Sequence, residues 1–263
     1  MSFKEWLFSM AEKPLIDNPV INGRWGLLHI ITLIVSISLI IAFCFIVKKV
    51  NNKEKVRKII IISLASVLLF FEVVMRFVRF VGYFNELTFW RAVWIIIPRP
   101  WCAISSWALM LSLLIRKKFF YNFASMSALL CSVIFFICPG VGFNNQYILF
   151  ENLYSICTHA LLLIMSISLI TLKYTSFDYK EIWKEAICFV VSFIYALFVI
   201  FVLKMERDPM YFMPNGDIQA GILGIPYGLY LPIYIIFLLI YINAFYLVND
   251  RKNVKQFFKK LKK

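Results

Sequence analysis

The chain has 263 residues, of which 62% are hydrophobic and only 16% are charged, a composition too apolar for a soluble domain of this length. Its net charge of +14 comes from 28 Lys and Arg residues against 14 Asp and Glu residues. Most of these cations lie in short segments between apolar runs, so they do not form the continuous basic surface that binds nucleic acid. The sequence therefore predicts an integral membrane protein without a nucleic-acid partner. Its abundant Phe, Ile, Lys and Asn fit an AT-rich bacterial genome.

Seven apolar runs along the chain have the length that a helix needs to cross ~30 Å of hydrocarbon. In chain order we predict them at Leu27–Val47, Ile59–Val81, Ala92–Ile115, Phe119–Cys138, Ile148–Leu172, Ala186–Leu203 and Pro226–Val248. These runs do not alternate between apolar and polar residues, as membrane strands must. The predicted fold class is therefore all-α, a polytopic membrane protein with a seven-helix transmembrane bundle over residues 27–248.

The bundle is flanked by a charged N-terminal segment, residues 1–26, and by a basic tail, residues 249–263. The N-terminal segment lacks a signal-peptide pattern, and its stretch FKEWLFSMAEK predicts a short interfacial helix. Lys and Arg are concentrated in alternate loops and in the tail, which predicts an outside N-terminus and a cytoplasmic C-terminus in a multi-pass plasma-membrane protein. The tail either binds anionic lipid head groups or acts only as a topology anchor.

Three of the predicted spans carry a polar stripe on one helix face. Polar side chains three and four residues apart share a face, and at membrane depth they normally face a bundle interior or a water-filled cavity. The stripes are Glu72, Arg76 and Arg79 in span two; Arg99, Cys102 and Ser106 in span three; and Asn152, Ser155 and His159 in span five. For span two, an internal pair of Glu72 with Arg76, with Arg79 reaching the outer surface, is an equally good explanation.

Span three is interrupted by two prolines, in the stretch WIIIPRPWCAISSW. Pro98 and Pro100 each remove a backbone donor, so we expect the helix to open there and to leave carbonyls that need partners. Arg99 is positioned to donate to them. Irregular backbone at membrane depth must be covered by protein or line a cavity, so this face is predicted to be internal.

The depths of three side chains predict a common site. A rise of ~1.5 Å per residue from the predicted outer ends places Glu72, Cys102 and His159 about 14, 15 and 16 Å below the outer boundary of the membrane. A thiol, an imidazole and a carboxylate at one level have the composition of an acyl-transfer site, with Cys102 as nucleophile and His159 as base. Each group also has an ordinary structural role as an alternative, an inert buried thiol or a hydrogen-bonded histidine.

Cysteine usage does not suggest a cross-linked or metal-binding protein. All six cysteines lie in apolar spans, without the paired loop spacing of disulfides or zinc sites, so we expect free thiols. The sequence predicts no metal site and no cofactor. Membrane lipids are the expected partners, and the sequence assigns no oligomeric state.

Several motifs occur in an order that resembles a known family. They are His29 in WGLLHII, Glu72 in LLFFEVVMRF, the proline-centred motif with Cys102, His159 in SICTHALLLI, and a late DPMYFMP before GIPYGLYLP. This order resembles the YwaF-like bacterial membrane proteins, relatives of the eukaryotic transmembrane protein 164 acyltransferases, which move fatty acyl chains onto lysophospholipids. The resemblance runs from His29 to about Tyr241.

The resemblance implies roles for His29, Glu72, Cys102 and His159 and for the segment with Met210, Tyr211 and Pro214. The sequence departs from the family pattern around span three. The bacterial pattern Leu-Pro-x-His-x-Cys reads Ile97 to Cys102 here, and Pro100 stands in place of the histidine. The eukaryotic catalytic cysteine directly precedes that histidine, a position that Arg99 occupies here, and Asp208 replaces the usual Asn of the late loop.

Two functions remain open from the sequence. The first is a phospholipid or lysophospholipid acyltransferase with catalytic Cys102, His159 and Glu72; Arg99, Arg76, His29, Asn152 and Tyr211 would then bind substrate. The second is a transporter or lipid-binding membrane protein whose translocation path is lined by the same stripes. The broken span three and the buried arginines favour the second function, and the lack of a visible inverted repeat counts against it.

Overall fold

The chain folds into helices throughout the part that can be described. The computed structural model describes residues 26–50, 53–84, 87–137, 150–204, 210–214 and 223–250. About 85% of these residues are helical, and none of them forms a strand. The helices are α1 (Leu27–Val50), α2 (Glu54–Gly82), α3 (Phe89–Ile96), α4 (Trp101–Ile115), α5 (Lys118–Ile137), α6 (Phe150–Thr171), α7 (Ile182–Leu197, followed by a π-helical turn, Phe198–Val202) and α8 (Tyr227–Asn249).

The predicted all-α membrane fold is confirmed. Six described helices are long and apolar enough to cross a membrane, and α3 and α4 together would make a seventh span. Four helices begin earlier than predicted, and the two largest differences, of five and four residues, are at α2, which begins at Glu54, and at α7, which begins at Ile182, where polar residues continue the helix beyond its apolar run. The interfacial segment, the basic tail, Cys138 and Asp208 lie outside the described residues.

The predicted break in span three is a sharp bend. Helix α3 ends at Ile96, α4 begins at Trp101, and their axes are bent by 67°. The extended residues between them include Pro98 and Pro100, whose rings cannot continue a helical hydrogen-bond ladder. The bend thus starts a new helix, α4, in the middle of what the sequence presents as one apolar run.

Helices α4, α5 and α6 form the buried centre of the bundle. Helix α5 packs against both α4 and α6, and 72% of the residues in its most apolar 18-residue stretch are buried. Small residues on α5 such as Ala124, Ser125 and Ala128 are completely buried and let the neighbouring backbones approach closely. The Ser166 hydroxyl of α6 donates to the Ser125 carbonyl of α5 over 2.5 Å. This centre is the scaffold on which the polar side chains of the site are held.

The remaining helices surround this centre and are attached to it by a few specific hydrogen bonds. Helix α7 packs against α5 and α8, and α1 and α2 pack against α6. Tyrosines fasten α8: the Tyr241 hydroxyl donates to the Met126 carbonyl over 2.8 Å, and the Tyr234 hydroxyl donates to the Met210 carbonyl over 2.7 Å. Most other side chains of α1 and α8 are exposed and apolar, as expected for helices facing lipid.

Candidate functional site

The bend between α3 and α4 is stabilised by side chains from two other helices. Pro100 lacks the N–H that would otherwise bond to the Ile96 carbonyl one turn back, and Arg76 Nε of α2 donates to that carbonyl over 3.2 Å. The Tyr195 hydroxyl of α7 donates to the Pro98 carbonyl over 2.9 Å. Two carbonyls at the bend, those of Ile96 and Pro98, therefore have side-chain donors, from Arg76 and from a tyrosine that the sequence did not indicate.

The bend also places Cys102 in the first turn of a helix. Helix α4 begins at Trp101, and its first internal bond runs from the Ile104 N–H to the Pro100 carbonyl. The N–H groups of Trp101, Cys102 and Ala103 therefore have no acceptor within the helix, and the positive end of the helix dipole lies at the thiol. Such a position stabilises an anion, including a thiolate or a developing oxyanion.

The second reactive group, His159, is held in a single orientation on α6. Its Nδ1 lies 2.7 Å from the Ser155 carbonyl, and its ring stacks on Phe135 of α5 with centroids 3.8 Å apart and planes 8° apart. A carbonyl only accepts hydrogen bonds, so the proton of the neutral imidazole is on Nδ1. Nε2 is then the unprotonated nitrogen, which is the one that can act as a base.

Cys102 and His159 line the same small cavity. The cavity has a volume of about 10 Å³ and is lined by Trp101, Cys102, Cys131, Ile134, Phe135, His159 and Tyr211. A space of this size has room for about one water molecule, so an acyl chain does not fit without movement of the lining. Three central helices and one loop residue thus surround a space that a thiol and an imidazole both reach.

The loop residue in the lining, Tyr211, belongs to a short, partly buried segment. Its backbone φ is +61°, a conformation that side-chain-bearing residues rarely adopt, so the surroundings must hold it in place. The Tyr230 hydroxyl of α8 donates to its carbonyl, and the adjacent Met210 is buried. The segment named by the family resemblance therefore closes the cavity from the side of α8.

The carboxylate of Glu72 lies in a different set of contacts. It forms an ion pair with Arg76 on the same helix, and its Oε1 accepts from the Tyr154 hydroxyl of α6 over 3.2 Å. Among the hydrogen bonds of the described residues, none joins Glu72 to His159. The structure therefore brings Cys102 and His159 together but holds Glu72 on α2 as the partner of an arginine.

Three arginines gather around one indole ring near the bend. The guanidinium of Arg99 lies 3.6 Å from the centre of the Trp94 ring, and those of Arg91 and Arg79 lie 5.7 and 5.9 Å from it. Arg79 also pairs with Glu151 over 2.6 Å. We call Trp94 with these three arginines the Trp94 cluster. The cluster concentrates positive charge near the bend, and its member Arg99 precedes Cys102 by three residues.

The other two predicted site residues lie outside the cavity lining. His29 of α1 is fully buried, and its Nε2 donates to the Phe136 carbonyl of α5 over 3.0 Å, which joins the peripheral α1 to the central α5. Asn152 is buried on α6, seven residues before His159. Cys131 and Phe135 belong to the lining although the sequence analysis did not select them, since on an apolar helix they look like ordinary core residues.

The arrangement defines a multi-pass α-helical membrane protein with a thiol and an imidazole meeting in an enclosed space between its central helices. The profile of the TMEM164 family matches residues 24–250, which is most of the chain, and the protein belongs to the TMEM164 family. No curated protein and no solved structure matches the chain.

Proposed function

We propose that this protein is a lipid acyltransferase that moves a fatty acyl chain between phospholipids through Cys102 and His159, as its resemblance to YwaF-like proteins suggests. The observation that carries the proposal is the shared cavity: a thiol in the first turn of α4 and an imidazole with Nδ1 fixed by Ser155 line one enclosed space. These are the nucleophile and base of an acyl-transfer site.

The reaction proceeds in two balanced steps. His159 Nε2 takes the proton of the Cys102 thiol, and the sulfur attacks the ester carbonyl of a donor phospholipid. The backbone N–H groups at the start of α4 stabilise the oxyanion. The ester C–O bond breaks, His159 returns the proton to the leaving hydroxyl, and a Cys102 thioester remains. A lysophospholipid hydroxyl then gives its proton to His159 and attacks the thioester carbonyl. The C–S bond breaks, the new ester leaves, and His159 returns the proton to the Cys102 sulfur.

The Trp94 cluster supports a role in holding the lipid head group. Arginine binds phosphate through paired N–H donors, and the ester carbonyls of a phospholipid lie only a few bonds from its phosphate. Arg99 is three residues from Cys102, and Arg76 donates to the backbone of the same bend. Asn152 and His29 line the approach in this proposal, and Glu72 offsets the charge of Arg76 rather than orienting His159 directly.

Substrate entry requires a change at the cavity. Every lining residue other than Tyr211 belongs to α4, α5 or α6, which pack closely on one another. Displacement of the Met210–Pro214 segment opens the space with the least loss of helix packing. The conformation described here is then the closed one, in which the site excludes water.

The orientation of the protein determines which leaflet it serves. With the N-terminus outside and the basic tail on the cytoplasmic side of the plasma membrane, as the distribution of Lys and Arg predicts, the cavity lies near the middle of the membrane and opens toward the outer leaflet. The tail, residues 249–263, then holds anionic lipids of the inner leaflet at ~1 kcal/mol per basic residue.

The test is transfer of a labelled acyl chain to lysophospholipid by the full chain in lipid nanodiscs. Wild type is given either a labelled phospholipid or a labelled acyl thioester as donor, beside Cys102→Ser and His159→Ala. Cys131→Ser is the matched control, a second thiol in the same cavity. Equal transfer by wild type and by the Cys102→Ser/His159→Ala double mutant would reject the proposal, as would the absence of transfer by wild type with both donors.

A second function, transport or binding of lipid, is favoured by the ion pair of Glu72 with Arg76 and by the bend that Arg76 supports. It makes a different prediction for the two side chains. Uptake of lipid into liposomes that survives Cys102→Ala and fails with Arg76→Ala supports transport. Loss of acyl transfer with Cys102→Ala supports the enzyme.

A further inference from the structure

A second buried polar site lies between α5, α7 and α8, apart from the cavity of Cys102. At its centre is Glu185, in the first turn of α7, whose side chain has no exposed surface. The predicted span six begins one residue later, at Ala186, and this carboxyl was therefore expected in a loop. In the structure it is part of a helix that crosses the bundle.

One oxygen of Glu185 belongs to a defined hydrogen-bond chain. The Tyr246 hydroxyl of α8 donates to Glu185 Oε1 over 2.9 Å, and Asn122 Nδ2 of α5 lies 3.2 Å from the same hydroxyl. The Asn122 amide is itself fixed by Ser176, because it donates to the Ser176 carbonyl and accepts from the Ser176 N–H, both over 2.9 Å. Three elements therefore hold Glu185 Oε1 in place.

The other oxygen, Oε2, is buried without a hydrogen-bond partner. No ion pair of Glu185 occurs among the described residues. The charged groups nearest along its own helix are Glu181 and Lys184, and these pair with each other. The titratable groups that face it are Tyr246 from α8 and Cys188, one turn along α7, and α5 contributes the neutral Asn122.

An ionised carboxylate in this position would be strongly disfavoured. A buried carboxylate needs either a cation or several donors to offset the loss of water, and Glu185 has near it only the neutral donors of Tyr246 and Asn122, neither of which reaches Oε2. A hard metal cation is normally bound by several oxygen ligands that include more than one carboxylate or carbonyl. In the described part of the chain, no group of three or more His, Cys, Asp or Glu residues could hold a metal ion. Protonation of the carboxyl removes the buried charge without any further ligand, so the neutral acid is the form that fits this site.

We propose that Glu185 is a proton-binding site, held as a neutral carboxylic acid between α5, α7 and α8. The site is independent of the acyl-transfer proposal, since it shares no residue with the cavity of Cys102. Its hydrogen-bond chain ends at Ser176, which lines an open groove of about 520 Å³ together with Lys173, Asp178 and Asp250. Release of the proton leaves an uncompensated carboxylate, which requires water to enter from this groove as α7 separates from α8.

The experiment uses dicyclohexylcarbodiimide, an apolar reagent that reacts with protonated carboxyls inside membranes. The carboxylic acid adds across one C=N bond, its proton passes to nitrogen, and the acyl group then migrates to nitrogen as a stable N-acylurea, so that nothing leaves. Full-length protein in liposomes is treated over a range of pH, digested and analysed by mass spectrometry. We expect Glu185 to be modified at neutral pH, and modification to fall about tenfold per pH unit above its midpoint.

Two internal comparisons make the result specific. Glu72, buried but paired with Arg76, should remain unmodified under the same conditions. Tyr246→Phe removes the donor to Oε1 and should extend modification of Glu185 to higher pH, because the carboxylate loses a hydrogen bond that favours its charged form. Modification of Glu72 but not of Glu185 would overturn the proposal, and so would protection of Glu185 by sodium or potassium chloride at constant pH, which would make a cation the ligand.

The free energy of unfolding gives a second test of the protonation state of Glu185, one that does not depend on labelling. Glu185→Gln replaces the acid by a neutral amide of similar shape and should unfold at the same denaturant concentration as wild type. Lower stability of Glu185→Gln together with absence of labelling in wild type would show that the carboxylate form is the native one and would reject the site.

Discussion

The central helices and the peripheral helices of this bundle differ in how they are held. In the most apolar 18-residue stretch of each helix, 72% of the residues of α5 are buried inside the protein, against 11% for α1 and 22% for α8. Lipid tails are as apolar as Leu, so a peripheral helix gains little from packing and depends on specific hydrogen bonds, whereas a central helix depends on close packing. The reactive groups project from the central helices, where side-chain positions are the most strongly constrained.

The largest expected effect is on the rate of acyl transfer, for a substitution in the central helix α6. His159→Ala removes the proposed base and should lower the rate of acyl transfer by about 10² to 10⁴. Cys157→Ala is the matched control, since it lies on the same helix two residues away and does not line the cavity. The measurement is kcat for acyl transfer in nanodiscs. A similar loss for both variants would mean that α6 is merely sensitive to substitution.

The next effect compares packing at the centre with packing at the periphery. Leu162 on α6 is fully buried, and Leu39 on α1 is 54% exposed. We expect Leu162→Ala to lower the free energy of unfolding by about 2–4 kcal/mol, because it leaves a cavity between packed helices. Leu39→Ala should have a much smaller effect, because lipid fills the space. Equal losses in a denaturant titration in mixed micelles would contradict the division of the bundle into two regions.

A smaller effect is expected from one polar contact of the centre. The Trp101 indole N–H donates to Ser127 Oγ over 2.8 Å, and Ser105 Oγ lies 2.8 Å from the same oxygen. Trp101→Leu removes the donor and should cost about 1 kcal/mol of unfolding free energy beyond its loss of packing. Trp183→Leu, at an exposed indole, supplies the comparison. If Ser127→Ala in the Trp101→Leu background costs as much as it does in wild type, the two residues are not coupled.

The smallest effect concerns the attachment of α1. His29 donates to the Phe136 carbonyl, and His29→Ala should lower the free energy of unfolding by about 0.6 kcal/mol beyond its loss of packing, the average for hydrogen bonds between membrane helices. His29→Gln keeps an N–H donor and should recover part of that loss. Recovery of none of it would mean that the ring packs rather than bonds. Acyl transfer by these variants also shows whether His29 contributes to substrate binding.

The positions of the membrane helices could be predicted from the sequence, because each membrane helix needs a long apolar run and each such run can be recognised. The bend could be predicted as well, since proline is incompatible with a continuous hydrogen-bond ladder, and Pro98 and Pro100 mark its position. Counting residues from the helix ends put Cys102 and His159 at one depth, and they line one cavity.

Other parts of the site carry no sequence signal. Phe135 and Cys131 lie on an almost wholly buried helix, so periodicity does not show which of its faces meets His159. For Glu72 the i, i+4 spacing predicted a pair with Arg76 as one of two alternatives, and the structure has that pair. Glu185 was missed because a charged residue at the edge of an apolar run resembles a loop residue. For the cavity lining the missing information was the rotation of a helix about its axis, and for Glu185 it was the true start of α7.

The most direct test of the proposed chemistry is detection of the covalent intermediate. The full chain in nanodiscs is incubated with a phospholipid carrying a labelled acyl chain, quenched in acid and digested, and the labelled peptide is identified by mass spectrometry. We expect one acyl group on Cys102, absent from Cys102→Ser. Neutral hydroxylamine should remove this group, which identifies the bond to the protein as a thioester. A labelled Cys131 with an unlabelled Cys102, or turnover without any acylated cysteine, would contradict it.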